Sequence, residues 1–260
     1  MNDTVLFEVA DGVATITLNR PEAMNTMSRD LSEGLADAVR EVRDNDAVRV
    51  AILTGNGRAF CAGADLRERN ATGRGFSSPA DVFSTSPGGG IGAVDTKKPI
   101  IAAINGYCLG GGFEMALTCD LRIASEAATF GLPEITHGFF PGGGGPVRLP
   151  RFIPQALAAE IVLLGERFDA ATALRYGVIS RVAPPDQLMA TAHAMAARIA
   201  GFAPVAVRAV TELMRSQGDL PLDRALRLGS SLRWIVGQTE DAREGPRAFV
   251  EKRAPQFKGQ

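Results

Sequence analysis

The sequence predicts an α/β fold, and three patterns carry that prediction. Val5 to Val9 and Val13 to Leu18 alternate around Asp11-Gly12, two β-branched runs (Val48 to Thr54 and Ile100 to Ile104) end in glycine-rich turns, and from Pro154 onward the pattern is mostly helical. Asp11-Gly12 predicts a hairpin, because these residue types accept the positive φ angles of a two-residue turn. Ser28 is placed to cap a helix running to about Arg43, with Leu31, Leu35, Ala38 and Val42 along one face. Arg67 to Pro99 is rich in Gly, Ser, Pro and Thr and reads as a long mobile connection, with Gly88-Gly89-Gly90-Ile91-Gly92 as loop. Helices follow over Gln155 to Leu164, Ala170 to Tyr176, Asp186 to Ile199, Pro204 to Arg215, Pro221 to Ile235 and Glu240 to Lys252, with Pro154, Pro204 and Pro221 suited to first-turn positions.

The stretch from Ile100 to Glu134 carries the chemistry. The strand ends at Asn105-Gly106, and Gly110-Gly111-Gly112 precedes the helix formers Phe113, Glu114, Met115, Ala116 and Leu117. The first N–H groups of a helix lack intrahelical partners, so such an end attracts negative charge. Without a Cβ in the way, the Gly111 amide can aim at an oxyanion that develops during reaction. Glu114, three residues on, can face the same side. Read alone, the stretch is first a helix start whose glycines permit tight packing and whose first turn carries a favourable acid. Nucleotide motifs fit poorly, since Phe113-Glu114 stands where a phosphate loop needs Lys followed by Ser or Thr, and the glycine spacing is not that of a dinucleotide fingerprint.

A second glycine-rich turn, Gly55-Asn56-Gly57-Arg58-Ala59-Phe60-Cys61-Ala62-Gly63-Ala64-Asp65-Leu66, also follows a strand. Together with Asn105 through Glu114 it resembles the motifs of the enoyl-CoA hydratase/isomerase (crotonase) superfamily. Further matches are Leu18-Asn19-Arg20-Pro21, Phe130-Gly131-Leu132-Pro133-Glu134, Pro141-Gly142-Gly143-Gly144-Gly145 and the segment from Glu240-Asp241 to Phe249-Val250-Glu251-Lys252-Arg253. The resemblance implies a spiral core of repeated β-β-α turns over residues 1–200 and a helical C-terminal region over 201–260 used in assembly as a homotrimer or homohexamer.

Residue by residue, the resemblance places the two oxyanion-hole amides on Ala64 and Gly111 and the hydratase's two catalytic glutamates on Glu114 and Glu134. Family members with other activities commonly lack one of these acids, so the pair points to hydration of a 2-enoyl-CoA to a 3-hydroxyacyl-CoA. An enoyl-CoA isomerase is the alternative, as is a crotonobetainyl-CoA hydratase-like enzyme, which Glu240-Asp241-Ala242-Arg243-Glu244-Gly245-Pro246 also resembles. A catalytically silent acyl-CoA-binding homologue would be expected to lose acids or glycines. The expected coenzyme A contacts are Arg58, Ala62, Asp65, Leu66 and Arg67, with Phe249, Lys252 and Lys258 serving a neighbouring subunit. No cofactor or metal is expected beyond the coenzyme A of the substrate. Many relatives place Lys where Glu22 stands, and His137, three residues after Glu134, replaces an apolar residue; neither His137 nor His193 is assigned a role.

Composition agrees with an enzyme and narrows its partners. Apolar residues make up 45% and charged residues 22%, and 28 Lys plus Arg against 29 Asp plus Glu give a net charge of −1, which argues against a general nucleic-acid binder. Three cysteines provide no disulfide framework, and Cys61, Cys108 and Cys119 read as small buried apolar residues, with Cys61 as nucleophile the lesser alternative. Asp120 and Glu126 read as turn and surface acids. The Met1-Asn2-Asp3-Thr4 start carries no basic and apolar leader and no run reaches the length of a membrane span, so the expected setting is the cytoplasm.

Overall fold

Strands β1 (Val5–Ala10) and β2 (Val13–Leu18) form the expected hairpin, with Ala10 opposite Val13 and both Asp11 (φ 50°) and Gly12 (φ 77°) in the left-handed region. The computed structural model describes residues 3–72 and 96–260. Helix α1 (Arg29–Asp44) is capped as expected, Ser28 Oγ accepting from the Leu31 N–H, and it buries Leu31, Gly34, Leu35, Ala38 and Val42. Its C-terminal carbonyls are satisfied by a buried cation: Lys98 Nζ donates to the carbonyls of Val42 (2.8 Å) and Asn45 (2.7 Å).

From there the chain alternates between two sheets. Strands β3 (Val50–Gly55) and β4 (Ala59–Cys61) lead to helix α2 (Leu66–Thr72). Strands β5 (Ile100–Ile104) and β6 (Tyr107–Leu109) lead to α3 (Gly111–Ala116), and β7 (Leu121–Ser125) and β8 (Thr129–Gly131) lead through a 3₁₀ turn to α4 (Gly145–Phe152). With β9 (Phe168–Asp169) and β10 (Arg181–Ala183), the strands make a six-stranded sheet in the order β1-β2-β3-β5-β7-β10 and a four-stranded sheet in the order β4-β6-β8-β9. All neighbours are parallel except β1 with β2 and β8 with β9. The repeated β-β-α turn is therefore present, and because both sheets step forward together, each glycine-rich turn after β4, β6 and β8 arrives at the same end of the second sheet.

Parallel strands need cover on both faces, which explains the continuous apolar runs of β3 and β5. Helix α1 and the second sheet cover one side. On the other, Leu188, Ala192, Ala196 and Ala200 of α7 (Leu188–Ala200) pack on Val50, Ile52, Ile101, Ala103 and Ile123. The remaining helices are α5 (Gln155–Leu164), α6 (Ala170–Tyr176), α8 (Pro204–Ser216), α9 (Leu222–Gly237) and α10 (Glu240–Val250), close to the expected bounds.

Four features correct or extend the expectations. The segment read as a loop from Arg67 begins instead as helix α2, while the Gly88–Gly92 run lies outside the described residues. The region after Pro154 contains β9 and β10, which close the edges of the two sheets; at two and three residues they are too short to show a period. Helix α4, unforeseen among its glycines and prolines, tolerates Pro146 in its first turn. Asp120 is more than a turn acid: its carboxylate accepts from the Ile100 N–H (2.8 Å) and from Arg215 Nε (2.8 Å) and Nη2 (2.7 Å), tying α8 to the start of β5. Among the described residues, no single helix is long and apolar enough to cross a membrane.

Candidate active site

Two amide-bearing turns meet at the end of β4 and β6. Gly110 (φ 52°, ψ −129°) donates to the Gly131 carbonyl at 2.9 Å and turns the chain so that α3 starts at Gly111, whose N–H has no partner within the helix. Opposite lies the turn at Gly63 (φ +97°), where an added Cβ would stand 3.1 Å from the Leu109 carbonyl and 3.5 Å from the Gly111 nitrogen. Ala64 is pinned beside this turn by a parallel bridge to Met27, whose N–H donates to the Gly63 carbonyl (2.8 Å). Ala64 and Gly111, distant in sequence, are thus brought to one place.

The turn that leads into β4 is held by a residue that carries no motif of its own. Asn25 is fully buried at φ 53°, and its amide donates to the carbonyls of Asn56 (2.9 Å) and Ala59 (2.7 Å) while its Oδ1 accepts from the Arg20 N–H (2.7 Å). Its position just after Leu18-Asn19-Arg20-Pro21 was the available signal.

Glu134 lies against Gly110 and Glu114 follows Gly111 within α3, and the Glu114 charge acts on the Glu134 carboxyl. Glu114 is buried, one helical turn past Gly111, and its Oε1 accepts from the Gly145 N–H at 2.7 Å. Burial pushes its carboxyl above the ordinary range, against the opposing effect of the Gly145, Gly143 and Gly144 amides and the Arg148 charge. Glu134 sits in the 3₁₀ turn Pro133–His137, with Oε1 close against Gly110, where a Cβ would lie only 2.8 Å away. Its Oε2 is buried and has no hydrogen-bond partner among the described residues. Burial first, then the neighbouring Glu114 charge, pushes the Glu134 carboxyl up to about 7. A buried carboxyl oxygen without a partner is a place for a group from outside the chain.

The other expected contacts divide. Arg58 and Ala62 line a cavity of about 170 Å³ together with Met24, Tyr107, Leu109 and Arg167. Arg167, which sequence reading did not single out, holds its guanidinium 5.9 Å from the centre of the Tyr107 ring. Leu66 and Arg67 are exposed on α2. The Asp65 carboxylate is engaged with the Arg20 guanidinium at 3.2 Å and with the Arg67 and Glu68 amides, where it serves the start of α2. Phe249 (84% exposed), Lys252 and Lys258 lie on α10 and the tail beyond it, and none of them lines the cavity at Arg58. His137 is exposed, its Nδ1 3.0 Å from Thr136 Oγ1, and His193 is exposed. All three cysteines are buried, and burial pushes the Cys61 and Cys119 thiols up to about 12, which removes the basis for a Cys61 nucleophile.

The family model described as enoyl-CoA hydratase/isomerase matches residues 8–260. The chain belongs to that family. Within it, the chain is 42% identical over 257 residues to the (E)-benzylidenesuccinyl-CoA hydratase of Thauera aromatica, covering 98% of this chain and 99% of that protein. It is 40% identical to the carnitinyl-CoA dehydratase of Proteus mirabilis (strain HI4320), with all of both chains covered. Among solved structures, the enoyl-CoA hydratase of Bacillus anthracis matches with a TM-score of 0.91 at 38% identity, covering 99% of this chain and 100% of that one. The enoyl-CoA hydratase/isomerase fold is thus shared along the whole chain, with the β-β-α spiral at its centre.

Proposed function

We propose that this family member hydrates a 2-enoyl-CoA thioester to the 3-hydroxyacyl-CoA, with Glu114 and Glu134 as its acid–base pair. The observation that carries the reading is the buried, unpartnered Oε2 of Glu134, on a carboxyl near enough to Glu114 for that acid's charge to act on it. With the thioester oxygen held by the Ala64 and Gly111 N–H groups, the conjugated β-carbon becomes electrophilic, each donor contributing about 3 kcal/mol in the transition state. Ionised Glu114 takes a proton from water as the water oxygen bonds to the β-carbon. The π electrons move to the enolate oxygen, and protonated Glu134 delivers its proton to the α-carbon as the carbonyl re-forms. A carboxyl raised to about 7 holds a proton near neutral pH while remaining able to release it. Dehydration uses the same groups in reverse.

The likeness to carnitinyl-CoA dehydratase over the whole chain supports a second reading of the acyl group. A panel of enoyl-CoA thioesters of different chain lengths, with crotonobetainyl-CoA and (E)-benzylidenesuccinyl-CoA included, decides between them through loss of the conjugated enoyl absorbance. No loss with any member would refute hydration.

Assembly as a trimer or hexamer belongs to the same proposal. Helices α8 and α9 bury none of their residues, yet Met214 (70%), Leu222 (75%) and Trp234 (68%) are exposed, a concentration of apolar surface suited to subunit contact. Light scattering that found only monomer at micromolar concentration in an active preparation would refute it.

A further inference from the structure

We propose that Arg148 is a positioning residue for Glu114, fixing the glycine turn whose amides hold that carboxylate. This rests on the acid–base role given to Glu114 above. The half-buried Arg148 reaches back from the first turn of α4, and its Nη1 donates to the Gly143 carbonyl at 2.7 Å. The carbonyl of Gly143 and the N–H of Gly144 belong to one trans peptide and point in opposite directions. Holding the carbonyl toward the guanidinium therefore turns the Gly144 N–H away from it, toward the side where Glu114 lies. The amides of Gly143, Gly144 and Gly145 all act on the Glu114 carboxylate, the last through the 2.7 Å bond to Oε1.

Glycines make this geometry possible and also make it fragile. At Gly144 (φ +99°) a Cβ would collide with the Arg148 guanidinium, and at Gly145 it would stand 3.1 Å from Glu114 Oε1, so the turn is pressed between cation and carboxylate. Consecutive glycines leave the peptide free to flip unless something holds it. Arg148 supplies that hold, and its charge also opposes the upward push of burial on Glu114. Glu114 in turn raises the Glu134 carboxyl, which the exposed His137 opposes. The proposed reaction thus gains a residue that acts through Glu114, deciding whether the base is ionised and aimed.

The test titrates Glu114 directly, by ¹³C NMR of protein labelled at the glutamate carboxyls and assigned with Glu114→Gln, alongside hydration kinetics. Arg148→Met should move the Glu114 titration upward and lower kcat by roughly tenfold or more while KM stays within about threefold. Arg148→Lys, which keeps the charge and loses the planar fork, should restore the titration and part of kcat. A folded Arg148→Met protein with unchanged titration, whatever its melting temperature, would overturn the proposal. If only the lysine variant folds, wild-type kcat would overturn it and a lowered kcat at unchanged KM would support it. Should Glu114→Gln spare hydration while Arg148→Met still shifts the Glu114 titration, the two-glutamate mechanism falls and the positioning role stands.

Discussion

Gly110→Ala strikes the site at its most constrained backbone position. Gly110 adopts φ 52°, ψ −129°, a conformation that costs a residue bearing a Cβ roughly 1–3 kcal/mol. At about 2–4 °C per kcal/mol for a chain of this size, the melting temperature should fall by roughly 2–12 °C. The added Cβ would also stand 2.8 Å from Glu134 Oε1, so the carboxylate must retreat by roughly 0.5–1 Å to regain van der Waals distance. A displacement of that size at a reacting group costs on the order of 10²-fold in rate, and that is the expected loss of kcat. Gly177→Ala is the control. Gly177 sits at φ +81° with nothing within 4 Å of an added Cβ, so it should lose about 1–2 kcal/mol of stability and keep its kcat. Thermal melts followed by enoyl-CoA hydration assays on both variants separate strain from contact. If Gly110→Ala retained kcat within about threefold of wild type, too little for a misplaced acid, the assignment of Glu134 to the chemistry would be refuted.

The acids themselves should each cost roughly 10²- to 10⁴-fold in hydration when changed to Gln, and the double variant should lose less than the product while still binding an acyl-CoA in calorimetry. Glu114→Gln within about threefold of wild type would instead favour an isomerase, which needs no activated water. Glu134 also links stability to pH. Its carboxyl ionises near 4.5 when unfolded and at about 7 when folded, so across that window the folded state holds the extra proton and this group's contribution to stability falls as pH rises. Glu134→Gln should therefore gain melting temperature relative to wild type at pH 8 compared with pH 5, and an equal difference at both would contradict the raised value. Asp120→Ala leaves the Ile100 N–H and the Arg215 guanidinium without their carboxylate and should cost about 1–3 kcal/mol in denaturant unfolding. The buried thiols of Cys61, Cys108 and Cys119 should resist alkylation until denaturant is added, and rapid labelling of the native protein would count against their burial.

Local physics made much of this chain legible in advance. Asp11-Gly12, Ser28 and the face of Leu31, Leu35, Ala38 and Val42 act within a few residues of themselves, and the hairpin and α1 formed as their chemistry requires. The same holds for the glycine run that opens α3 and for Glu114 one turn beyond it. Composition and motif order reached further, to the family, because several motifs in sequence along the chain leave few other architectures. Whatever depended on contacts between distant segments was not legible. The pairing of β9 with β8 and of β10 with β7 takes two or three residues each, below any period. Asp120 looks like a turn acid until α8 brings Arg215 to it across 95 residues. Asn25 and Arg167 carry no local signature of their positions, since each is defined by a carbonyl or ring contributed from elsewhere, while Arg148 holds a carbonyl five residues back in a turn whose importance depends on the distant Glu114. Most of all, the state of Glu134 is a tertiary property: an ordinary carboxyl in the chain, it is raised to about 7 by desolvation and a neighbouring acid, and neither exists until the two sheets bring the turns together.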